Sequence, residues 1–131
     1  MSSPLTDSAA LLEELPLLQP DEQAARVRGS GPAEEVLLAL GEAAEQLALT
    51  DAGRALAATE CLVPLADAMG SPVGQARARR ARAHALCNAG RLEEGWLLCD
   101  EAARLADLGE APVEAGKARM QIGRASCRER V

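Results

Sequence analysis

Side chains able to do chemistry are few in this chain. It holds four cysteines, Cys61, Cys87, Cys99 and Cys127, and a single histidine, His84. No two cysteines form a C-x-x-C pair, so the spacing on which tetrahedral metal sites are built is missing. Cys87 and Cys99 can face each other across a helical hairpin, but a buried thiol ordinarily packs as a small hydrophobe, and that is the expected role here. His84 and Cys87 stand three apart and share a helix face. A cysteine nucleophile also needs a base in hydrogen-bond reach, a group that orients the base, and donors for the oxyanion. One histidine on an Ala-rich helix does not supply that set; His84 is expected at a helix surface or edge. No catalytic, cofactor-binding or metal-binding residue is therefore assigned, no cofactor is expected, and the chain is not expected to be an enzyme. A phosphate-cradling G-x-x-x-x-G-K-[ST] run is also absent.

The remaining candidates are cationic. Arg77, Arg79, Arg80 and Arg82 form a basic run that, on a helix, spreads over more than one face. The expected reading is a solvated helix surface rather than a phosphate site. A formal net charge of -6 argues against nucleic acid as a partner, because duplex binding depends on clustered Lys and Arg neutralising phosphates.

The elements that must position these residues are helices. The 131 residues are 48% hydrophobic and 26% charged, which suits one globular domain. The apolar vocabulary is Leu, Ala and some Val, with one Trp and no Phe or Tyr. Ala and Leu head the helix scale, whereas strands favour β-branched and aromatic residues, so the fold class is all-α. No basic segment precedes an unbroken apolar run, and no window approaches the roughly 20 apolar residues of a membrane span. The expectations are no membrane partner, a cytoplasmic location and reduced thiols.

Pro, Gly and capping residues then divide the chain. Asp7 or Ser8 is expected to cap a short helix ending near Leu15, before Pro16, and Asp21 to cap another through Val27. A loop at 28–31 follows. Pro32 should open a helix to about Leu49, with Val36, Leu37, Leu40, Ala43, Ala44 and Leu47 at spacings of three and four. Thr50 or Asp51 caps the next, to Met69, which Pro64 should kink or split, and Gly70 ends it. Pro72 opens a helix to Ala89, closed by Gly90. Leu92 to Leu108 follows, closed by Gly109, and Pro112 opens a last one reaching Gln121.

Two stretches echo each other. Leu65-Ala66-Asp67, Met69-Gly70 and Pro72-Val73 reappear as Leu105-Ala106-Asp107, Leu108-Gly109 and Pro112-Val113, and Ala78-Arg79 as Ala118-Arg119, mostly at an offset of 40 residues. Ala52-Gly53-Arg54 and Ala89-Gly90-Arg91 match at an offset of 37. A period near 40 built of helix pairs is the mark of an α-solenoid. Ala83 and Leu86, then Gly90, Leu92, Gly95 and Ala102, resemble a tetratricopeptide repeat, with small residues where two helices cross. Leu92, Gly95, Trp96, Cys99, Ala102, Ala103 and Ala106 form one stripe expected to bury against the partner helix.

That resemblance covers roughly 51–121 and implies antiparallel helical hairpins stacked as a solenoid, about two repeats at 32–121 behind N-terminal capping helices at 1–31. Arg79 and Arg82 stand where the family often has large apolar residues. The longer repeat resembles arrays in bacterial multidomain proteins that precede a caspase-like CHAT peptidase domain or accompany nucleotide-binding transcriptional regulators. It implies a protein-interaction scaffold for an unidentified protein or peptide, acidic or C-terminal in character. The alternative it implies is a regulatory helical region of such a peptidase or regulator. Thirteen Arg against one Lys, with abundant Ala, suggest a GC-rich bacterial genome.

The last ten residues break this style. One codon reading of Ile122 to Val131, ATC GGA AGA GCG TCG TGT AGG GAA AGA GTG, resembles the ligation adapter of short-read sequencing libraries. Residues 122–131 are on that basis expected to be an adapter-derived tail of a fragment whose natural chain continues past Gln121. A helical stack cut there should leave the apolar side of 92–108 partly uncovered and be marginally stable or self-associate.

Overall fold

A computed structural model describes the backbone of residues 4–129 and the side chains of residues 7–121. Among these residues all regular structure is helical: α1 (Pro4–Glu14), a single 3-10 turn (Leu15–Leu17), α2 (Pro20–Ser30), α3 (Ala33–Thr50), α4 (Ala52–Met69), α5 (Pro72–Asn88), α6 (Leu92–Leu108) and α7 (Pro112–Glu129). The side chains of residues 122–131, Cys127 included, lie outside the described residues. The backbone of α7 passes Gln121 without interruption.

Local chemistry accounts for most boundaries. Asp51 caps α4 by accepting from the Arg54 amide at 3.1 Å, and the Ser71 hydroxyl caps α5 by accepting from the Gly74 amide at 3.2 Å. Each satisfies one of the amides left open at a helix start. Gly70 closes α4 in the left-handed region, at φ 77°. Helices α3, α5 and α7 follow or begin at Pro32, Pro72 and Pro112, so the 40-residue spacing sets the starts of alternate helices.

Several boundaries differ from the sequence expectation, each for a local reason. Helix α1 begins at Pro4 rather than at an Asp7 or Ser8 cap. Helix α2 is capped by Gln19 in a capping box with Glu22, not by Asp21, and it absorbs the expected loop at Arg28-Gly29-Ser30. There Ser30 Oγ donates to the Arg26 carbonyl at 2.8 Å, which holds the last turn closed. Helix α4 runs through Pro64 unsplit. Pro64 and Glu60 both sit on its exposed side, where the carbonyl that loses its donor can turn to water. Gly109 is not the left-handed residue of its turn, with φ -82°; the next residue, Glu110, takes that conformation at φ 56°. Gly109 is instead a close-contact position, where a Cβ would lie 2.7 Å from Val73 Cγ2. The 37-residue match also has no structural counterpart, since Gly53 lies inside the first turn of α4 while Gly90 lies in the connection before α6.

Helix α5 is the hub, packing on α3, α4, α6 and α7, while α3 packs on α1, α2, α4 and α5. The core changes character along the chain. Around α1 to α4 it is leucine-rich, with Leu12, Leu15, Leu37, Leu40 and Leu62 fully buried. Toward the C-terminus its buried clusters are built of alanine, Ala76, Ala106 and Ala115 in one and Ala102, Ala103 and Ala118 in another, with Leu105 packed against the first and Cys99 buried beside them. Of the expected α6 stripe, Gly95, Cys99, Ala102, Ala103 and Ala106 are buried, while Leu92 and Trp96 at its N-terminal end are half-buried. Helix α7 packs against α6, and among the described residues Leu97, Leu108, Val113 and Met120 stay exposed there.

Alanine cores work only if helices approach closely. A Cβ at Gly95 would lie 2.5 Å from Cys87 Sγ and 3.2 Å from the Ala83 carbonyl oxygen, so Gly95 sets the α5–α6 separation. Gly95→Ala is expected to destabilise the fold by about 1–3 kcal/mol through overpacking, while Glu110→Gly is expected to stabilise it by about 1 kcal/mol by relieving a left-handed Cβ. Denaturant unfolding of the two variants checks both signs.

Candidate binding groove

Helix α5 carries seven of its residues as Ala, Gly or Leu, yet it has no apolar face in the ordinary sense, because its arginines are also buried. Arg77, Arg79 and Arg80 are 6%, 9% and 5% exposed, which corrects the expectation of a solvated surface. The physical reason lies on the neighbouring helices, each of which supplies a carboxylate or a carbonyl.

On the side facing α4 and α6, Arg79 binds both oxygens of Asp67, at 2.8 and 2.9 Å, and donates from Nε to Glu101 at 2.7 Å. Asp67 raises the Arg79 pKa above its ordinary value, against the opposing effect of burial, and Glu101 adds to the rise. Arg82 donates to the Leu56 carbonyl at 2.9 Å. On the side facing α3 and α7, Glu45 serves two cations, with Arg77 Nη1 at 3.0 Å and Arg80 Nε at 3.1 Å. Arg80 Nη2 also lies 3.5 Å from Glu114 Oε2 on α7. The Arg77 stem runs over Gly41, where a Cβ would stand 2.5 Å from Arg77 Cγ. A planar guanidinium with five donors is the cation suited to such multiple pairing.

The 40-residue echo turns out to encode one of these contacts. Asp67 pairs with Arg79 across α4 and α5, and Asp107 pairs with Arg119 at 2.6 Å across α6 and α7. Both the acid and the base belong to the repeated fragments, and each pair spans twelve residues.

Helices α3, α5 and α7 together wall a groove of about 730 Å³. Its floor holds Glu45, Arg77, Arg80 and Glu114; its rim holds Leu38, Lys117, Met120 and Gln121, and the α5 wall adds His84, Cys87 and Asn88. His84 is half-buried, and its placement on the same wall as Cys87 follows from their three-residue spacing. Asn88 Nδ2 donates to the Ala48 carbonyl at 3.0 Å, satisfying an open carbonyl in the last turn of α3. Among the described residues, three buried polar atoms of the groove have no hydrogen-bond partner in the protein: Arg80 Nε, Glu114 Oε2 and Gln121 Nε2. Arg80 Nε is charge-paired with Glu45, but its N–H is not aimed at that carboxylate.

Cys61, Cys87 and Cys99 take part in no disulfide, and among the described residues no group of three or more His, Cys, Asp or Glu side chains is arranged to hold a metal. Burial pushes the Cys99 thiol up to about 12, with the neighbouring Cys87 and Glu45 contributing less, and burial likewise raises the Cys61 thiol. Among the described residues no helix is long and apolar enough to cross a membrane. No family model, curated protein or solved structure matches this chain.

Two outcomes follow. Glu45→Gln strips the shared counter-charge from two buried guanidiniums and is expected to cost about 3–5 kcal/mol, whereas Asp107→Asn removes a partner from an exposed pair and should leave stability nearly unchanged; chemical denaturation distinguishes them. Cys99 ionises in the unfolded chain near its ordinary value of 9.0 but in the folded chain only near 12, so its contribution to stability is intact below pH 9 and is lost as pH rises through that window. The folded protein should accordingly resist alkylation of Cys99 at pH 8, with labelling appearing only on unfolding.

Proposed function

We propose that the chain is a tetratricopeptide-like helical scaffold that binds a peptide segment in the groove between α3, α5 and α7. The observation carrying this reading is the repeated α4–α5 and α6–α7 ion pair, Asp67 with Arg79 and Asp107 with Arg119. It supports helices added in two-helix steps, with α3, α5 and α7 as successive first helices side by side. A stack of that kind presents its first helices as one continuous recognition surface.

The groove's chemistry supports binding over catalysis. Its charged groups are engaged with one another, and its histidine and cysteine accompany carboxylates and guanidiniums that already hold the helices together. It also revises the character of the ligand. Arg77 and Arg80 are neutralised by Glu45 and Glu114 and offer little net attraction to an acidic segment.

A displayed random-peptide library is expected to yield sequences retained by the wild-type chain and released by Gln46→Trp, whose indole fills the groove from an exposed position on α3. Peptides held equally by both proteins, or none retained, would remove the groove as the binding surface.

A further inference from the structure

We infer that the outer face of α7, formed by Pro112, Val113, Gly116 and Arg119, docks one amphipathic helix of a partner chain, a helix that carries a glutamate, a small residue five positions later and a glycine eight positions later. The inference uses the repeated α4–α5 and α6–α7 step and not the groove, which α7 lines from another side through Glu114, Lys117 and Gln121.

Its basis is an interface that the chain already makes once. Helix α6 covers α5 at Pro72, Val73, Ala76 and Arg79. The end of α6 comes so near that a Cβ at Gly109 would stand 2.7 Å from Val73 Cγ2 and 3.3 Å from Pro72 Cβ. Ala106 packs in one cluster with Ala76. Glu101 accepts from Arg79 Nε at 2.7 Å, completing a guanidinium whose other edge is held by Asp67. Forty residues on, Pro112, Val113, Gly116 and Arg119 occupy the same register of α7, and Asp107 holds Arg119 as Asp67 holds Arg79. The α5 set is buried or half-buried, whereas Pro112, Val113 and Arg119 are exposed. Val113 is 68% exposed, and a Cβ at Gly116 would meet nothing within 4 Å.

The α5–α6 contact also specifies what fits. A carboxylate matches Arg119 as Glu101 matches Arg79, because a guanidinium can serve two acids from different edges. A residue without a side chain is needed above Val113, as Gly109 is above Val73. Gly116 in place of Ala76 lets an incoming backbone approach at least as closely as α6 approaches α5. On α6 the three matching residues are Glu101, Ala106 and Gly109, which sets the spacing of five and eight. A second copy of this chain does not offer that helix, since its own Glu101, Ala106 and Gly109 are turned onto its own α5.

The test uses the full chain and, as probe, a fluorescein-labelled synthetic peptide of residues 89–110 carrying Cys99→Ser, followed by fluorescence anisotropy. Saturable binding is expected, weakened about tenfold when the peptide also carries Glu101→Gln. In the protein, Gly116→Leu fills the face from a position with open space around it and is expected to abolish binding. The same change should leave the thermal midpoint unchanged or raised, because leucine forms helix better than glycine, so lost binding is not lost folding. Gln46→Trp, which fills the groove, should bind the peptide as the wild type does. Binding retained in Gly116→Leu would overturn the inference, since the peptide would then be exchanging with α6 on α5. Binding lost in Gln46→Trp would overturn it by moving the helix into the groove, and an absence of saturable binding would overturn it while leaving the groove to be judged by the peptide library. Sedimentation of the chain alone supplies the last outcome: a dimer that Gly116→Leu dissolves assigns this face to a second copy instead of a partner helix.

Discussion

Three guanidiniums buried on one helix constrain everything around them. A charge taken out of water is tolerated only beside an opposite charge and with its donors used. Arg77, Arg79 and Arg80 therefore dictate where α3, α4, α6 and α7 lie, because those helices carry Glu45, Asp67, Glu101 and Glu114. An apolar α5 would pack against neighbours in several registers at similar energy. The arginines remove that freedom, since a shift of one residue leaves a buried cation facing alanine. Net stabilisation by such pairs is small, and their consequence is specificity of arrangement.

The second constraint is volume. With no Phe or Tyr and only one Trp, the C-terminal half fills its interior with alanine, and dispersion contacts accumulate only if backbones come close. Gly95 supplies that approach between α5 and α6 by admitting the sulfur of Cys87, and Gly41 and Gly74 do the same between α3 and α5 for the stem of Arg77 and the side chain of Leu37. Gly41 and Arg77 show the two constraints meeting in one contact, since the missing side chain makes room for the aliphatic part of the buried cation.

These same constraints shape the groove. Its floor is polar because the ion pairs that orient α5 also line the surface between α3 and α7. Most of that polarity is spent inside the protein.

Much of the fold was legible along the chain. Helix class followed from Leu and Ala, most boundaries from Pro, Gly, Ser and Asp, and the buried stripe of α6 from its spacing, because each depends on neighbours within a few residues. The repeat was legible as an offset of 40, though its meaning as an Asp–Arg bridge between successive helices was not, since the two members were read as separate fragments. The burial of the arginine run could not be read locally: Glu45, Asp67, Glu101 and Glu114 lie between 12 and 35 residues away from their partners, and nothing in a one-dimensional pattern says which helix each will face. Residue type and short-range spacing thus determined the helices by themselves. Only the tertiary packing decided that the cations turn inward, that Glu110 rather than Gly109 takes the left-handed turn, and which carboxylate serves which guanidinium, because desolvation and pairing are properties of several helices at once.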